Sequence, residues 1–219
     1  MHIFGYPVGF YQPFSKERVA DIRNEVNEYF KSDEKAVLKS VKWNAKCLTS
    51  SPDGHGRGDE VTLKQPYHAK TPLIRGIHKY MRQYLAENGL EELEPAMFKC
   101  GDPGCKDCVR DAWFNLYRRG HSQEPHWHHG EKTGCVLGFV YFVQYDPEKD
   151  GRFIFINPAP DLSIKGLEKC PDFQREVAPD VNEGTLMIFP AFMVHRVSKQ
   201  MSNHERITFA GNFFCKTDS

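Results

Sequence analysis

Two histidines one residue apart, His126 and His128, sit in the stretch Gln123-Glu124-Pro125-His126-Trp127-His128-His129-Gly130-Glu131, and a third, His195, lies far along the chain. In an extended segment side chains alternate faces, so residues two apart point the same way. Two imidazoles on one face can grip one metal ion, and a third from another strand completes a facial set that leaves positions open for small molecules. The chain holds 10 histidines, so pairs also arise by chance and a polar strand face is the plainer reading of His-x-His alone.

A second cluster is Cys100, Cys105 and Cys108 in Cys-Gly-Asp-Pro-Gly-Cys-Lys-Asp-Cys, where Cys-x-x-Cys has zinc-ligand spacing. A structural zinc there needs a fourth ligand from the distant Cys47, Cys135, Cys170 or Cys215; the alternative is a turn with free thiols. Seven cysteines at irregular spacing fit reduced thiols better than a secreted disulfide framework. His55, in a Gly-rich loop, reads as solvated, and His78, on a helical segment, as a surface or packing residue rather than a ligand.

Composition narrows the function classes. With 29 basic and 29 acidic residues the net charge is zero, which points away from nucleic acid and other polyanions. No apolar run reaches the length of a membrane span, and Met1 to Tyr11 lacks the pattern of a signal peptide. A cytoplasmic protein without membrane partners is the expectation. At 219 residues, 40% of them hydrophobic, the chain suits a single domain, 1–219.

The elements that must position these residues divide into a helical or mixed part, 1–110, and a β-rich part, 111–215. Ser15 caps a first helix carrying Val19, Ile22, Val26 and Tyr29/Phe30, which should end near Lys31 to Asp33. A strand is expected around Trp43 to Leu48, then a loop over Ser50 to Glu60. Thr71-Pro72 opens a second helix with an apolar stripe, Leu73, Ile74, Ile77, Met81, Tyr84 and Leu85, stopped by Gly89. Strand-like runs then follow at Ala112–Tyr117, Gln123–His128, Cys135–Gln144, Arg152–Ile156, Thr185–Phe189, His195–Val197 and Arg206–Phe214. Asn157 to Asn182 is a long connection. Helices first and strands later predict an α+β fold, with the helices packed outside a strand sandwich.

Taken in order, Gly120, Glu124-Pro125-His126-Trp127-His128, the apolar run Val136–Val143, Gly151-Arg152-Phe153, Glu183-Gly-Thr-Leu-Met-Ile-Phe-Pro190, His195-Arg196-Val197 and Arg206-Ile207-Thr208 resemble the Fe(II)/2-oxoglutarate-dependent dioxygenase superfamily, on its prolyl-4-hydroxylase-like side. The resemblance covers about residues 112–214. It implies a double-stranded β-helix, a cupin-like jelly roll, with Fe(II), 2-oxoglutarate and O2 as metal and co-substrates. It also implies a hydroxylase of an unactivated C–H bond in a small-molecule or peptidyl substrate that the residues do not identify.

Carried over by position, His126 and His195 are metal ligands. Where the family usually has a carboxylate, position 128 is His. Three readings stay open: a three-His iron site with His128; a slipped register in which His129-Gly130-Glu131 supplies Glu131; or a metal-free relative. Arg206 stands where the family pairs a basic residue with the far carboxylate of 2-oxoglutarate, a fork that guanidinium geometry suits. Thr208 shares its strand face, and Asn115 with Tyr117, or Tyr141 with Val143, could finish the co-substrate pocket. Trp127 should face away from the ligands, into the core. Two other functions compete: a three-His cupin-type oxygenase that does not use 2-oxoglutarate, and a jelly-roll binding module without catalysis.

Overall fold

The computed structural model describes residues 1–37, 39–40, 47–49, 72–93, 111–128, 135–159 and 173–214. The Cys100/Cys105/Cys108 cluster, His55, Glu131 and most of the strand expected around Trp43 lie outside them.

Three short strands, β1 (His2–Ile3), β2 (Tyr6–Pro7) and β3 (Gly9–Tyr11), lead into helix α1 (Lys16–Val37). Ser15 caps that helix as expected, its Oγ accepting from the Arg18 amide at 3.3 Å. The helix runs past Lys31 to Val37 because Ser32 to Val37 contains neither Gly nor Pro. Strands β4 (Lys39–Ser40) and β5 (Leu48–Thr49) follow, then helix α2 (Pro72–Glu87). Gly89 ends α2 in the left-handed region, φ 65°, and the Leu90 amide bonds back to the Leu85 carbonyl at 2.9 Å.

The β-rich part consists of β6 (Asp111–Tyr117), β7 (Gln123–His126), β8 (Cys135–Gln144), β9 (Phe153–Ile156), β10 (Glu176–Val177), β11 (Leu186–Pro190), β12 (His195–Val197) and β13 (Arg206–Phe214). They form an antiparallel seven-stranded sheet, β3-β11-β8-β13-β6-β5-β4, and a four-stranded sheet, β10-β9-β12-β7. This is the expected double-stranded β-helix with helices outside. Within the Asn157–Asn182 connection the short strand β10, not anticipated from its composition, pairs with β9.

Alternation along the large sheet decides what each face does. Phe114, Leu116, Phe139, Tyr141, Ile188, Ile207 and Phe209 pack against the apolar stripes of α1 and α2. Their neighbours Tyr117, Val140, Phe142, Met187, Phe189 and Ala210 face inward, toward Phe153, Phe155 and Val197 of the small sheet. By the same alternation Arg206, Thr208 and Asn212 of β13 and Asn115 of β6 look into the sandwich. Gly184, at φ 85° in the turn before β11, is required twice over: the conformation disfavours other residues, and a Cβ there would lie 2.8 Å from Val19 Cγ2.

Two expectations are corrected here. Tyr141 and Val143 belong to the helix-facing layer, with Tyr141 edge-on to Phe14, so neither finishes an interior pocket. Trp127 is 60% exposed, because pairing of β7 stops at His126 and the chain leaves the sheet there. His78 is a buried packing residue, its ring edge-on to Phe213.

Candidate active site

The small sheet builds one side of the site. His195 opens β12 directly opposite His126 on β7, and the His128 amide bonds the Ala191 carbonyl at 2.9 Å, which holds the chain beyond β7 against the turn after β11. The three imidazoles meet: their candidate ligand nitrogens all lie within 4.8 Å of one another. Ring centroids are 4.3 Å apart for His126–His195, 5.0 Å for His128–His195 and 5.3 Å for His126–His128.

Each ring has its outer nitrogen engaged. His126 Nδ1 lies 2.8 Å from the Glu124 carbonyl and His195 Nδ1 2.8 Å from the Met193 carbonyl. His128 Nδ1 lies 2.5 Å from Asn212 Oδ1. Those oxygens carry no proton, so each Nδ1–H donates, and in a neutral imidazole Nε2 is then a bare lone pair. Burial keeps the rings neutral. It pulls His126 below its ordinary value, takes His128 down to about 4 and drives His195 well below the usual range; the neighbouring rings add to the last two effects. Phe153 stacks on His195 at 4.9 Å and Phe189 stands edge-on at 5.1 Å, which explains the apolar surroundings. Three oriented, unprotonated nitrogens on fixed hydrogen-bond partners are the arrangement a metal ion needs.

Arg206 lies inside the same sandwich at 1% exposure. Its Nε and Nη1 are buried with no hydrogen-bond acceptor among the described residues. The guanidinium instead lies over aromatic rings, 4.7 Å from the Tyr117 centroid, 5.5 Å from Phe142 and 5.8 Å from Tyr145. A buried cation with two orphaned donors and no carboxylate partner among the described residues is costly unless an anion binds it. Thr208, paired with Asn115 across β13 and β6, is buried on the same inward face. Tyr117, opposite Arg206 in the register, donates its hydroxyl to Gln123 Oε1 at 2.8 Å. Burial pushes the Tyr117 phenol far up, so it stays a proton donor.

Three residues of the site were not anticipated. Asn212 holds His128. Cys47 is buried beside Tyr117, its thiol pushed up to about 11 by burial, and so carries no thiolate. Gln123 lies 3.3 Å from His126 Nε2 through its own Nε2. Asn212 shares a strand face with Arg206 and Thr208, so alternation alone points to it. Gln123 is hidden by a bulge: four residues of β7, Gln123 to His126, span three of β12, His195 to Val197. The extra residue brings side chains three positions apart to the same face.

Residues 111–212 match the family model described as a putative 2OG-Fe(II) oxygenase. No curated protein matches the chain. Among solved structures, the chain is similar to a Pseudomonas putida prolyl-4-hydroxylase: 14% identity, 97% of this chain and 94% of that one covered, TM-score 0.53. It is also similar to a Trichoplax adhaerens prolyl hydroxylase in complex with a hypoxia inducible factor oxygen degradation domain peptide: 10% identity, 95% and 84% covered, TM-score 0.56. A third is a Streptomyces hygroscopicus protein with nickel, 2-oxoglutarate and hygromycin B bound: 9% identity, 96% and 84% covered, TM-score 0.53. These likenesses carry the fold.

Proposed function

We propose that this chain, whose residues 111–212 match the 2OG-Fe(II) oxygenase family model, is an oxygenase of that superfamily on its prolyl-4-hydroxylase-like side, and that it hydroxylates an unactivated C–H bond with His126, His128 and His195 holding Fe(II). The observation that carries this reading is the meeting of three unprotonated imidazole nitrogens in a sandwich that also encloses Arg206, whose Nε and Nη1 find no acceptor among the described residues. Iron with O2 and 2-oxoglutarate supplies the oxidising chemistry, in which R–H becomes R–OH while 2-oxoglutarate becomes succinate and CO2.

The chain's own residues provide placement. The Glu124 and Met193 carbonyls and Asn212 aim the three ligands. Arg206, with Thr208 on the same face, takes the distal carboxylate of 2-oxoglutarate as a charge-assisted fork. Tyr117 and Asn115 line the path beside them. Phe153, Phe155 and Phe189 keep water from the back of His195. His128 in place of a carboxylate favours the three-His cupin-type reading without 2-oxoglutarate; Arg206 argues against it, since nothing among the described residues neutralises that charge. The substrate is a small molecule or a peptide side chain. No helix among the described residues is long and apolar enough to cross a membrane, and the cysteine pattern favours a reducing compartment, the cytoplasm.

The test is conversion of 2-oxoglutarate to succinate by protein reconstituted anaerobically with Fe(II) and then exposed to O2. Succinate formation lost in His126→Ala and in Arg206→Met supports the reading. Absence of both turnover and 2-oxoglutarate binding in the reconstituted wild type rejects it; full succinate formation in Arg206→Met removes Arg206 from the co-substrate site, and O2 consumption that needs Fe(II) but not 2-oxoglutarate transfers the case to the cupin-type alternative.

A further inference from the structure

Gln123 joins the two ends of the site. Its Oε1 accepts from the Tyr117 hydroxyl at 2.8 Å, and its Nε2 lies 3.3 Å from His126 Nε2. The orientation of this carboxamide is forced. Because His126 Nδ1–H is committed to the Glu124 carbonyl, Nε2 is a bare acceptor and must face a donor. That donor is the Gln123 NH2, which leaves Oε1 for the phenol. On its other side Tyr117 lies under the Arg206 guanidinium, 4.7 Å from ring centroid to Cζ. A continuous path of contacts thus runs from Arg206 through Tyr117 and Gln123 to His126.

A lone pair serves one partner at a time. A metal ion on His126 Nε2 displaces the Gln123 N–H, while Tyr117 still holds Gln123 by Oε1. The released N–H is then a half-buried donor beside the metal-binding nitrogen, and leaving it without an acceptor is unfavourable. A dicarboxylate with one end on Arg206 and the other on the metal has to lie along this path.

We propose that Gln123 is a co-substrate-binding residue: hinged on Tyr117, its carboxamide caps His126 in the metal-free protein and donates to the metal-chelating end of 2-oxoglutarate in the loaded one. This rests on the 2-oxoglutarate reading given above. It makes the bulge in β7 functional, since a regular strand would turn Gln123 away from His126.

The experiment is anaerobic titration of 2-oxoglutarate into Fe(II)-reconstituted wild type, Gln123→Met and Gln123→Glu, following the metal-to-ligand charge-transfer absorption, with Fe(II) affinity measured separately without 2-oxoglutarate. Gln123→Met keeps the volume and loses the donor, so its Kd for 2-oxoglutarate rises about tenfold and its absorption maximum shifts. Gln123→Glu adds a repelling carboxylate and loses about a hundredfold. Fe(II) affinity without 2-oxoglutarate is unchanged or tighter in Gln123→Met, because the internal cap is gone. Both variants binding 2-oxoglutarate like wild type with an unshifted band overturns the proposal. Loss of Fe(II) and 2-oxoglutarate in equal measure also overturns it, by making Gln123 a scaffold of the metal ligands. A wild type that binds Fe(II) and not 2-oxoglutarate refutes the proposed function itself, and the inference with it.

Discussion

Replacing Arg206 by Met separates a structural cation from one awaiting a ligand. Nε and Nη1 are buried without acceptors among the described residues, and each such donor costs about 1–3 kcal/mol. The faces of Tyr117, Phe142 and Tyr145 offset part of this: about 1–2 kcal/mol for the nearest ring and less for the others. The remainder leaves the guanidinium roughly 1–2 kcal/mol unfavourable in the metal-free protein. Met has a similar length and needs no partner. Arg206→Met should therefore be as stable as wild type or more so, with Tm higher by about 2–4 °C per kcal/mol gained in a chain of this size.

The same change removes the forked partner of a carboxylate, worth about 2–5 kcal/mol, so 2-oxoglutarate affinity should fall at least about thirtyfold. Calorimetric unfolding of the metal-free proteins gives the first quantity and titration of the Fe(II)-loaded proteins the second. Arg206→Lys keeps the charge and loses the fork, so it should recover only part of the affinity. If Arg206→Met unfolds several degrees lower and binds 2-oxoglutarate normally, Arg206 is a structural residue and the assignment of its orphaned donors to a ligand is wrong.

Asn212→Ala removes the acceptor that orients His128 and should weaken Fe(II) affinity about 10–100-fold with little change in Tm; nitrogen-15 NMR of the metal-free variant should show His128 no longer held as the Nδ1–H tautomer. The metal-free protein should lose stability as pH falls below about 6.5, because the unfolded chain protonates these histidines while the folded one, with His126, His128 and His195 all lowered, does not. The slope is up to about 1.4 kcal/mol per pH unit for each such histidine. For His128 it flattens near pH 4, and denaturant unfolding across that window should show a shallower slope in His128→Gln. Gly151→Ala should destabilise far more than Gly89→Ala, since a Cβ at 151 meets the Ser198 carbonyl oxygen while one at 89 meets nothing within 4 Å and only strains the backbone; paired thermal unfolding curves decide it.

Strand periodicity and local chemistry made much of this site readable from the sequence. Arg206 shares a face with Thr208 because alternation is a property of the backbone; His128 joins His126 although β7 ends at His126, because its amide is held on the Ala191 carbonyl and its ring on Asn212. The pairing of His195 with His126 is a tertiary fact, reached only through the order of motifs. Tyr141 shows where alternation stops helping. It says which residues share a face and leaves open which face looks at the helices. Gln123 shows a second limit, since a bulge is set by pairing with β12 and leaves no mark in a period of two. Trp127 shows a third: hydrophobicity suggested burial, but its strand ends one residue too early to enclose it.

The environment of the three imidazoles and that of Arg206 are opposite solutions to burial. The rings avoid charge: phenylalanines surround His195, each Nδ1 is satisfied by a neutral oxygen, and the protons stay off. Arg206 cannot discharge, so it keeps its charge over aromatic faces, its Nε and Nη1 without an acceptor among the described residues. A carboxylate at position 128 would neutralise part of a bound dication within the protein; a histidine leaves that task to whatever anion arrives. On the proposed reading, a dicarboxylate held by Arg206 at one end would supply at its other end the charge that the metal lacks. Binding of ion and anion must then strengthen each other by the same factor in either order. Asn212, a neutral acceptor on His128, keeps this division intact: an anionic acceptor there would push charge onto the ligand and weaken the dependence of the metal site on its co-substrate.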